Sequence, residues 1–195
     1  MTDHTSSPSD ASADADADRA EPTANESAAG ADGPITVLQV EPDARSAELL
    51  EAFAARLTDR IRVRSVGRVA EAVDAVEGGV EVDGERVGVD CVVTEQRLPD
   101  GGGVDLAERL RGADRGLPVV FHTTCPREER EAAAFGAGAD AYFEKGADRG
   151  RFDAILNRIR ALVDEGRERG KGAERAAAST PRASGSPGET LRSEE

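Results

Sequence analysis

The chain has 195 residues, with 39 acidic side chains against 25 basic ones and a formal net charge of −14. This length holds one ordinary domain with tails, and so acidic a balance argues against non-specific DNA binding, which needs clustered Lys and Arg. No apolar run is long enough to span a bilayer, and the first residues lack the basic and apolar regions of a secretory signal, so we expect a cytoplasmic protein without a nucleic-acid or membrane partner.

The two ends of the chain differ in composition from its middle. Residues 1–34 contain eight acids and a single base, and Met1 is their only hydrophobic residue besides alanine. Such a segment buries too little surface to offset its chain entropy, so we predict a disordered acidic tail. Residues 164–195 are rich in Gly, Ser, Ala, Arg and Glu and predict a second disordered tail. The folded domain is then 35–163, and we expect no output domain after it.

The numbers of lysines and cysteines indicate the salt and redox conditions in which the protein works. Of the 25 basic residues, only Lys145 and Lys171 are lysines. An acidic, lysine-poor composition resembles that of cytosolic halophilic proteins, in which high salt screens the charge. An acidic protein from a GC-rich genome is the alternative. Cys91 and Cys125 share no short spacing, so we expect two reduced thiols, with Cys91 in the core.

Strand and helix patterns alternate along the middle of the chain. The predicted strands are 35–40, 61–66, 88–94, 117–123 and 139–145. The predicted helices are 44–57, 67–77, 104–112, 126–136 and 151–165. Asp43 stands at the N-cap position of the first helix, and Asp83-Gly84 within residues 80–87 predicts a small hairpin insertion. We interpret the glycines at 101–103 as a loose turn into the third helix.

This alternation predicts an α/β domain with a parallel sheet and helices on both faces. Functional groups of such folds lie at the carboxyl ends of the strands. In this chain those positions hold polar or charged residues, namely Glu41, Glu95, Thr123 or Thr124, and Lys145.

Three motifs follow one another on successive strands: EQRLPDGGG from Glu95, VVFHTT with Thr123, and GADAYFEK with Tyr142 and Lys145. Together they resemble the receiver domain of two-component response regulators, over residues 35–163. The resemblance implies a flavodoxin-like, doubly wound five-stranded parallel sheet in the order 2-1-3-4-5. It also implies phosphorelay signal transduction by a single-domain protein that contacts a sensor kinase or a downstream signalling protein and is not an enzyme.

The same resemblance assigns roles to individual residues. Glu95 stands where receivers have the phospho-accepting Asp, and Thr123 stands where a hydroxyl binds the phosphoryl group. Tyr142 corresponds to the switch aromatic residue and Lys145 to the invariant lysine.

Two departures from the receiver pattern bear on phosphorylation. Glu95 is one methylene longer than Asp, and a misplacement of about 1 Å can cost roughly a hundredfold in rate. Pro42 replaces one of the two acids that follow the first strand, which leaves Glu41, Glu95 and a carbonyl, expected from Arg97, as a weak Mg²⁺ site at best. We therefore expect a degenerate pseudo-receiver of haloarchaeal type, with impaired or absent Asp-type phosphorylation.

Several alternatives stay open. The Glu95 carboxylate either reaches Lys145 and Thr123 and imitates part of the phosphorylated state, or pairs with Lys145 only to satisfy a buried charge. A metal-assisted phosphate-handling enzyme on the same fold is another possibility, as is a receiver still phosphorylated at Glu95 or a nearby Thr.

Two further expectations concern neighbouring residues. We interpret His122 as a hydrogen-bonded core residue, because His122 and Cys125 alone fall short of a zinc site. A contact surface over 126–163 would gain positive character from four arginines, Arg127, Arg130, Arg149 and Arg151.

Overall fold

A computed structural model describes residues 33–146 and 150–178. Its strands are β1 (Ile35–Val40), β2 (Ile61–Val66), β3 (Val80–Val82), β4 (Glu85–Val87), β5 (Cys91–Thr94), β6 (Arg97–Leu98), β7 (Gly101–Gly102), β8 (Val119–Thr123) and β9 (Ala141–Glu144). Its helices are α1 (Ala44–Leu57), α2 (Val69–Gly78), α3 (Gly103–Ala113), α4 (Arg127–Gly136) and α5 (Gly150–Ala178).

Five of the strands form one sheet in the order β2-β1-β5-β8-β9. Every neighbouring pair in this sheet is parallel. Counted among these five strands alone, the order is 2-1-3-4-5, so the predicted flavodoxin-like topology is confirmed. The strand order reverses beside β1, and the carboxyl ends of β1 and β5 therefore border the crevice in which such sheets place their functional groups.

The sheet separates two hydrophobic clusters because successive strand side chains point to opposite faces. Leu38 and Val40 of β1 belong to the cluster under α2, α3 and α4. Ile35 and Val37 belong to the cluster under α1 and α5, where Cys91 is also buried as predicted. Both faces of the sheet are thus covered, and its functional groups are left at the strand ends.

Helix α1 begins and ends close to the predicted residues. The Asp43 carboxylate accepts a hydrogen bond from the Ser46 N–H at 2.8 Å, which confirms the predicted N-cap. Leu50 and Ala54 are buried on its inner face, whereas Leu57, at the last turn of the same apolar stripe, is 41% exposed.

The hairpin of β3 and β4 is antiparallel and turns at Asp83 and Gly84. Both residues have positive φ, 54° and 84°, as a two-residue hairpin turn requires. Val80 and Val82 are buried against the cluster under α2, and the Arg64 side chain on β2 donates to the Glu81 carbonyl at 2.8 Å. The predicted insertion is therefore present, and it packs beside the edge strand β2.

Helix α5 extends to Ala178, so the prediction that a disordered tail begins at residue 164 is wrong for 164–178. Polar contacts hold this extension. The Arg60 guanidinium donates to both carboxylate oxygens of Asp164. The Arg167 guanidinium donates to the Pro34 carbonyl at 2.7 Å and to the Asp90 carboxylate at 3.0 Å. The predicted tail residues 1–32 and 179–195 lie outside the described residues.

Among the described helices, none has the combination of length and hydrophobicity needed to cross a membrane.

Candidate functional site

Four polar residues meet where the central strands end. Glu41, Glu95 and Lys145 immediately follow β1, β5 and β9, and Thr123 is the last residue of β8. The ladder of main-chain hydrogen bonds continues through them, since the Glu95 N–H donates to the Val40 carbonyl at 3.0 Å and the Lys145 N–H to the Thr123 carbonyl at 2.7 Å. The fold therefore brings the predicted rim residues into one site.

The Lys145 ammonium group lies between two carboxylates. It donates a hydrogen bond to Glu41 Oε2 and lies 2.9 Å from Glu95 Oε2. The side chains of both glutamates are almost fully buried, and that of Lys145 is 14% exposed. We refer to Glu41, Glu95 and Lys145 as the charged triad.

The Glu95 carboxylate has further donors on both oxygens. Oε1 accepts from the Thr123 hydroxyl and from the Gln96 N–H at 2.7 Å. Oε2 accepts from the Thr124 N–H at 3.1 Å, in addition to its ion pair with Lys145. Each oxygen of this buried group thus has at least two partners, which offsets the cost of removing a charge from water.

These contacts keep Glu95 and Lys145 ionised. Burial alone would raise the pKa of Glu95, but the hydrogen bonds from Thr123 and Lys145 outweigh it and hold that pKa below its usual value. Burial would likewise lower the pKa of Lys145, but its hydrogen bonds to Glu41 and Glu95 outweigh burial and raise it. Glu95 is therefore a carboxylate and Lys145 an ammonium group at neutral pH.

The charged triad does not fit a divalent metal well. Mg²⁺ needs near-octahedral oxygen ligands, whereas the Glu41 and Glu95 carboxylates are both paired with Lys145. Arg97, from which we expected a carbonyl ligand, directs its N–H toward Glu95 Oε1 at 3.5 Å. Across the described ranges, no group of three or more His, Cys, Asp or Glu side chains is placed to hold a metal ion.

A chain of hydrogen bonds leads from Glu95 to Tyr142. Thr123 Oγ1, which donates to Glu95, accepts from the Cys125 N–H at 3.0 Å. The Cys125 carbonyl in turn accepts from the Tyr142 hydroxyl at 2.9 Å. Tyr142 is buried, and burial raises the pKa of its hydroxyl to about 12. The phenol ring is therefore held inward, in the core beside Phe121.

The family model of the response regulator receiver domain matches residues 37–157, which is more than half of the chain. The chain belongs to the response regulator receiver family. The probable transcriptional regulatory protein TcrX of Mycobacterium tuberculosis is 31% identical to this receiver over 134 residues, which are 68% of this chain and 52% of TcrX. The cell cycle transcriptional regulator CtrA of Caulobacter vibrioides is 26% identical over 129 residues, 66% of this chain and 50% of CtrA. The receiver thus spans about half the length of these curated relatives.

Solved receiver structures agree with the fold. The non-phosphorylated HemR receiver domain of Leptospira biflexa is 28% identical, with a TM-score of 0.53 over 65% of this chain and 94% of that one. A CheY-like receiver domain protein of Methanospirillum hungatei JF-1 is 19% identical, with a TM-score of 0.58 over 70% of this chain and 99% of that one. At such low identity the second likeness shows the fold alone.

The loop after the acceptor position is tightly packed in this receiver, so our interpretation of a loose glycine turn is wrong. Gly101–Gly102 pair with Arg97–Leu98 as β7 and β6. A Cβ on Gly103 would lie 2.6 Å from the Glu95 carbonyl oxygen and 2.9 Å from the Phe121 ring. A side chain is excluded there because the first turn of α3 passes directly over the main chain of Glu95.

Sequence reasoning missed the role of Asp100 in this loop. Its carboxylate accepts hydrogen bonds from the Val69 N–H at 2.8 Å and the Ala70 N–H at 3.0 Å, at the start of α2. These bonds lower the pKa of Asp100. The sequence did contain an indication of this contact. Arg68, the N-cap residue of α2, supplies no capping side chain, so the first N–H groups of this helix need an acceptor from another segment. Asp100 therefore ties the acceptor loop to α2.

His122 differs from its prediction. It is buried as expected, but its Nδ1 atom has no hydrogen-bond partner among the described residues. Its ring makes an edge contact with Phe152 at 5.7 Å between centroids. Burial, followed by the charge of Lys145, lowers the pKa of His122 to about 4, so the imidazole is neutral at pH 7. Alternate residues of β8 face opposite sides of the sheet, and His122 lies on the side covered by α1 and α5.

The surface over α4 is less positive than expected. Arg127 pairs with Glu131 at 3.0 Å and donates to the Tyr142 carbonyl at 2.8 Å. Helix α4 contains two arginines but three glutamates, Glu128, Glu129 and Glu131. Arg149 lies outside the described residues. Exposed Phe135, rather than net positive charge, is therefore the distinctive feature of this helix.

Proposed function

We propose that this receiver acts in phosphorelay signal transduction through protein–protein contacts, with its phosphoryl site filled by its own Glu95 carboxylate and Asp-type phosphorylation impaired or absent. One observation carries the proposal: the Glu95 carboxylate accepts from the Thr123 hydroxyl and the Thr124 amide and pairs with the Lys145 ammonium. In receivers, the threonine and lysine at these positions bind the phosphoryl group. Glu95 has taken up the donors on which a transferred phosphoryl group would depend.

Phosphotransfer to Glu95 is disfavoured by the same contacts. A carboxylate nucleophile needs an unengaged oxygen aligned with the incoming phosphorus, and both oxygens of Glu95 already have two partners. Positioning and cationic neutralisation supply most of the rate in phosphoryl transfer. Here Lys145 is shared between Glu41 and Glu95, and Pro42 supplies no carboxylate for a metal.

Imitation of the phosphorylated state is favoured over a simple ion pair with Lys145. A simple pair would need only Glu95 Oε2 and Lys145. Oε1 is bonded instead to Thr123, from which hydrogen bonds continue through Cys125 to the inward Tyr142. On this proposal, Glu95 fixes the orientation of Tyr142 and hence the surface formed by α4, β9 and α5 that a sensor kinase or downstream signalling protein would contact.

Intact-mass measurement after incubation with phosphoramidate and Mg²⁺ tests the proposal. The wild-type chain is expected to gain no phosphate. Glu95→Asp alone is expected to stay unlabelled, because Pro42 still withholds a metal ligand, whereas the double variant Glu95→Asp, Pro42→Asp is expected to gain one acid-labile phosphate. The double variant serves as the positive control for the reagent and the fold.

Other results would contradict the proposal in distinguishable ways. One acid-labile phosphate on the wild-type chain would show that Glu95 is a working acceptor. An acid-stable phosphate lost in Thr94→Val or Thr123→Val would identify a threonine acceptor. Continuous hydrolysis of a phosphate ester would favour the metal-assisted enzyme instead.

A further inference from the structure

A cavity lies beside the charged triad, between α1 and α5. Its volume is about 350 Å³, within the range of roughly 300–1,000 Å³ typical of small-molecule sites. Its lining includes Ser46 and Leu49 of α1, Phe152 of α5, and the polar residues His122, Thr124 and Lys145. Glu41 and Glu95, the partners of Lys145, are not part of that lining.

The polar wall of the cavity offers hydrogen-bond donors. His122 contributes to this wall, and its buried Nδ1 atom has no hydrogen-bond partner among the described residues. Lys145 has three N–H groups and uses two of them on Glu41 and Glu95. The Thr124 N–H is bonded to Glu95, but its exposed side-chain hydroxyl is available.

The opposite wall is apolar and held in a fixed orientation. The Phe152 ring stacks on Phe53 with 4.3 Å between centroids, and its contact with His122 restrains it from the other direction. Leu49 lies outside the core and is 44% exposed, a large fraction for an aliphatic side chain. A flat hydrophobic group that contacts Leu49 and Phe152 would bury surface that the protein alone leaves open to water.

We propose that this cavity binds a small aromatic carboxylate, with its ring against Leu49 and Phe152 and its carboxylate toward Thr124 and Lys145. The third N–H of Lys145 and the Thr124 hydroxyl can both donate to a ligand, and a carboxylate accepts several hydrogen bonds at once. The apolar wall separates this ligand class from inorganic phosphate, which would leave Leu49 and Phe152 uncovered. Binding does not require phosphorylation of Glu95, so this proposal can fail while the proposed function stands.

Proton NMR of the full 195-residue chain with benzoate as the probe tests the site. The sequence contains two histidines, His122 and His4, and the His4 signals serve as the internal reference. We expect saturable shifts of the His122 ring signals with a dissociation constant of about 1 mM or tighter, and no change at His4. Benzamide, which has the same ring without the charge, and inorganic phosphate, which lacks the ring, are each expected to bind at least tenfold more weakly.

Two variants and a control locate the binding. Ser46→Phe fills the cavity and is expected to abolish the shifts. Thr124→Val keeps the side-chain volume but removes one donor, and should weaken binding roughly threefold to tenfold, as expected for a single hydrogen bond. Phe135→Ala, on the remote helix α4, should leave binding unchanged. The proposal is overturned if benzoate causes no saturable shift, if benzamide or phosphate binds as well as benzoate, or if Ser46→Phe and Thr124→Val bind like the wild-type chain.

Discussion

A single ammonium group balances two buried carboxylates at the rim of the sheet. Lys145 contacts both Glu41 and Glu95, and the Thr123 hydroxyl and the Thr124 amide complete the shell of Glu95. Removing one partner from such a cluster leaves an uncompensated buried charge, which costs more than the pair itself contributes. Lys145 is therefore the residue on which the ionised state of the whole site depends.

Lys145→Met should lower the free energy of unfolding at pH 7 by roughly 3–5 kcal/mol, because it leaves two carboxylates unpaired in the core. The loss should shrink as the pH falls below about 4.5, the usual pKa of a glutamate. In the wild-type chain, the lowered pKa of Glu95 gives a stabilisation that is fully present above the unfolded-state pKa and is lost as the pH falls through the lower folded-state pKa. The variant lacks the part of this stabilisation that comes from Lys145, so it loses less on acidification.

Urea denaturation of both proteins at pH 7 and pH 4 measures this effect. Lys171→Met, a change at an exposed position of α5, is the matched control and should stay within about 0.5 kcal/mol of the wild-type chain. Equal stabilities for Lys145→Met and Lys171→Met would show that the triad does not have the assigned energetic role.

At the scale of secondary structure, the segment from Glu95 to α3 positions the Glu95 side chain. Asp100 ties it to α2, and Gly103 brings α3 against the main chain of Glu95. A packed loop of this kind fixes the direction in which the Glu95 side chain leaves the strand. The glycine at 103 is needed for close approach of two backbones, not for an unusual φ value.

Gly103→Ala and Gly112→Ala should have opposite effects although both residues lie in α3. The methyl group at 103 would meet backbone and ring atoms within 3 Å, and we expect a loss of about 1–3 kcal/mol, as for other overpacked sites. A methyl group at 112 meets nothing within 4 Å, so the better helix propensity of alanine should stabilise the protein by up to about 1 kcal/mol. Thermal unfolding of the two variants checks this; similar shifts in both would contradict the packing described for Gly103.

Much of the fold and part of the site follow from local sequence patterns. Apolar periodicity predicted the strands and helices, and Asp83-Gly84 predicted the hairpin. The positions of Glu41, Glu95 and Lys145 at strand ends predicted that they lie at one edge of the sheet. The Asp100 cap and the extension of α5 could not be predicted in this way. They depend on contacts between distant segments, such as the Arg60–Asp164 pair, which produce no periodic pattern in the sequence. The sequence also could not show that Lys145 contacts Glu41 and Glu95 at the same time, because this depends on the folded positions of three strands.

For the whole molecule, the net charge of −14 is the dominant electrostatic feature. Like charges repel across a compact protein, and this repulsion weakens as salt shortens the screening length from about 10 Å at 0.1 M to about 3 Å at 1 M. Surface ion pairs also weaken in salt, but each exposed pair contributes only about 0–1 kcal/mol. Relief of repulsion should therefore exceed the loss of surface pairs.

The melting temperature should accordingly rise when KCl is increased from about 0.1 M to about 1 M, the range over which screening changes most. This rise is the behaviour expected of a halophilic protein. Thermal unfolding followed by circular dichroism measures it, with neutral sucrose as a control for non-ionic stabilisation. A melting temperature that falls with KCl would show that the loss of ion pairs outweighs the relief of repulsion, and would argue against the halophilic interpretation.

The occupancy of the phosphoryl site can be measured with beryllium fluoride, a tetrahedral analogue of a phosphoryl group, by fluorine NMR in the presence of Mg²⁺. If the Glu95 carboxylate holds the donors from Thr123, Thr124 and Lys145, the wild-type chain will show no protein-bound fluoride signal, whereas the double variant Glu95→Asp, Pro42→Asp will show one. A bound signal of comparable intensity in the wild-type chain would mean that Glu95 leaves the site open, and would contradict the account at its centre.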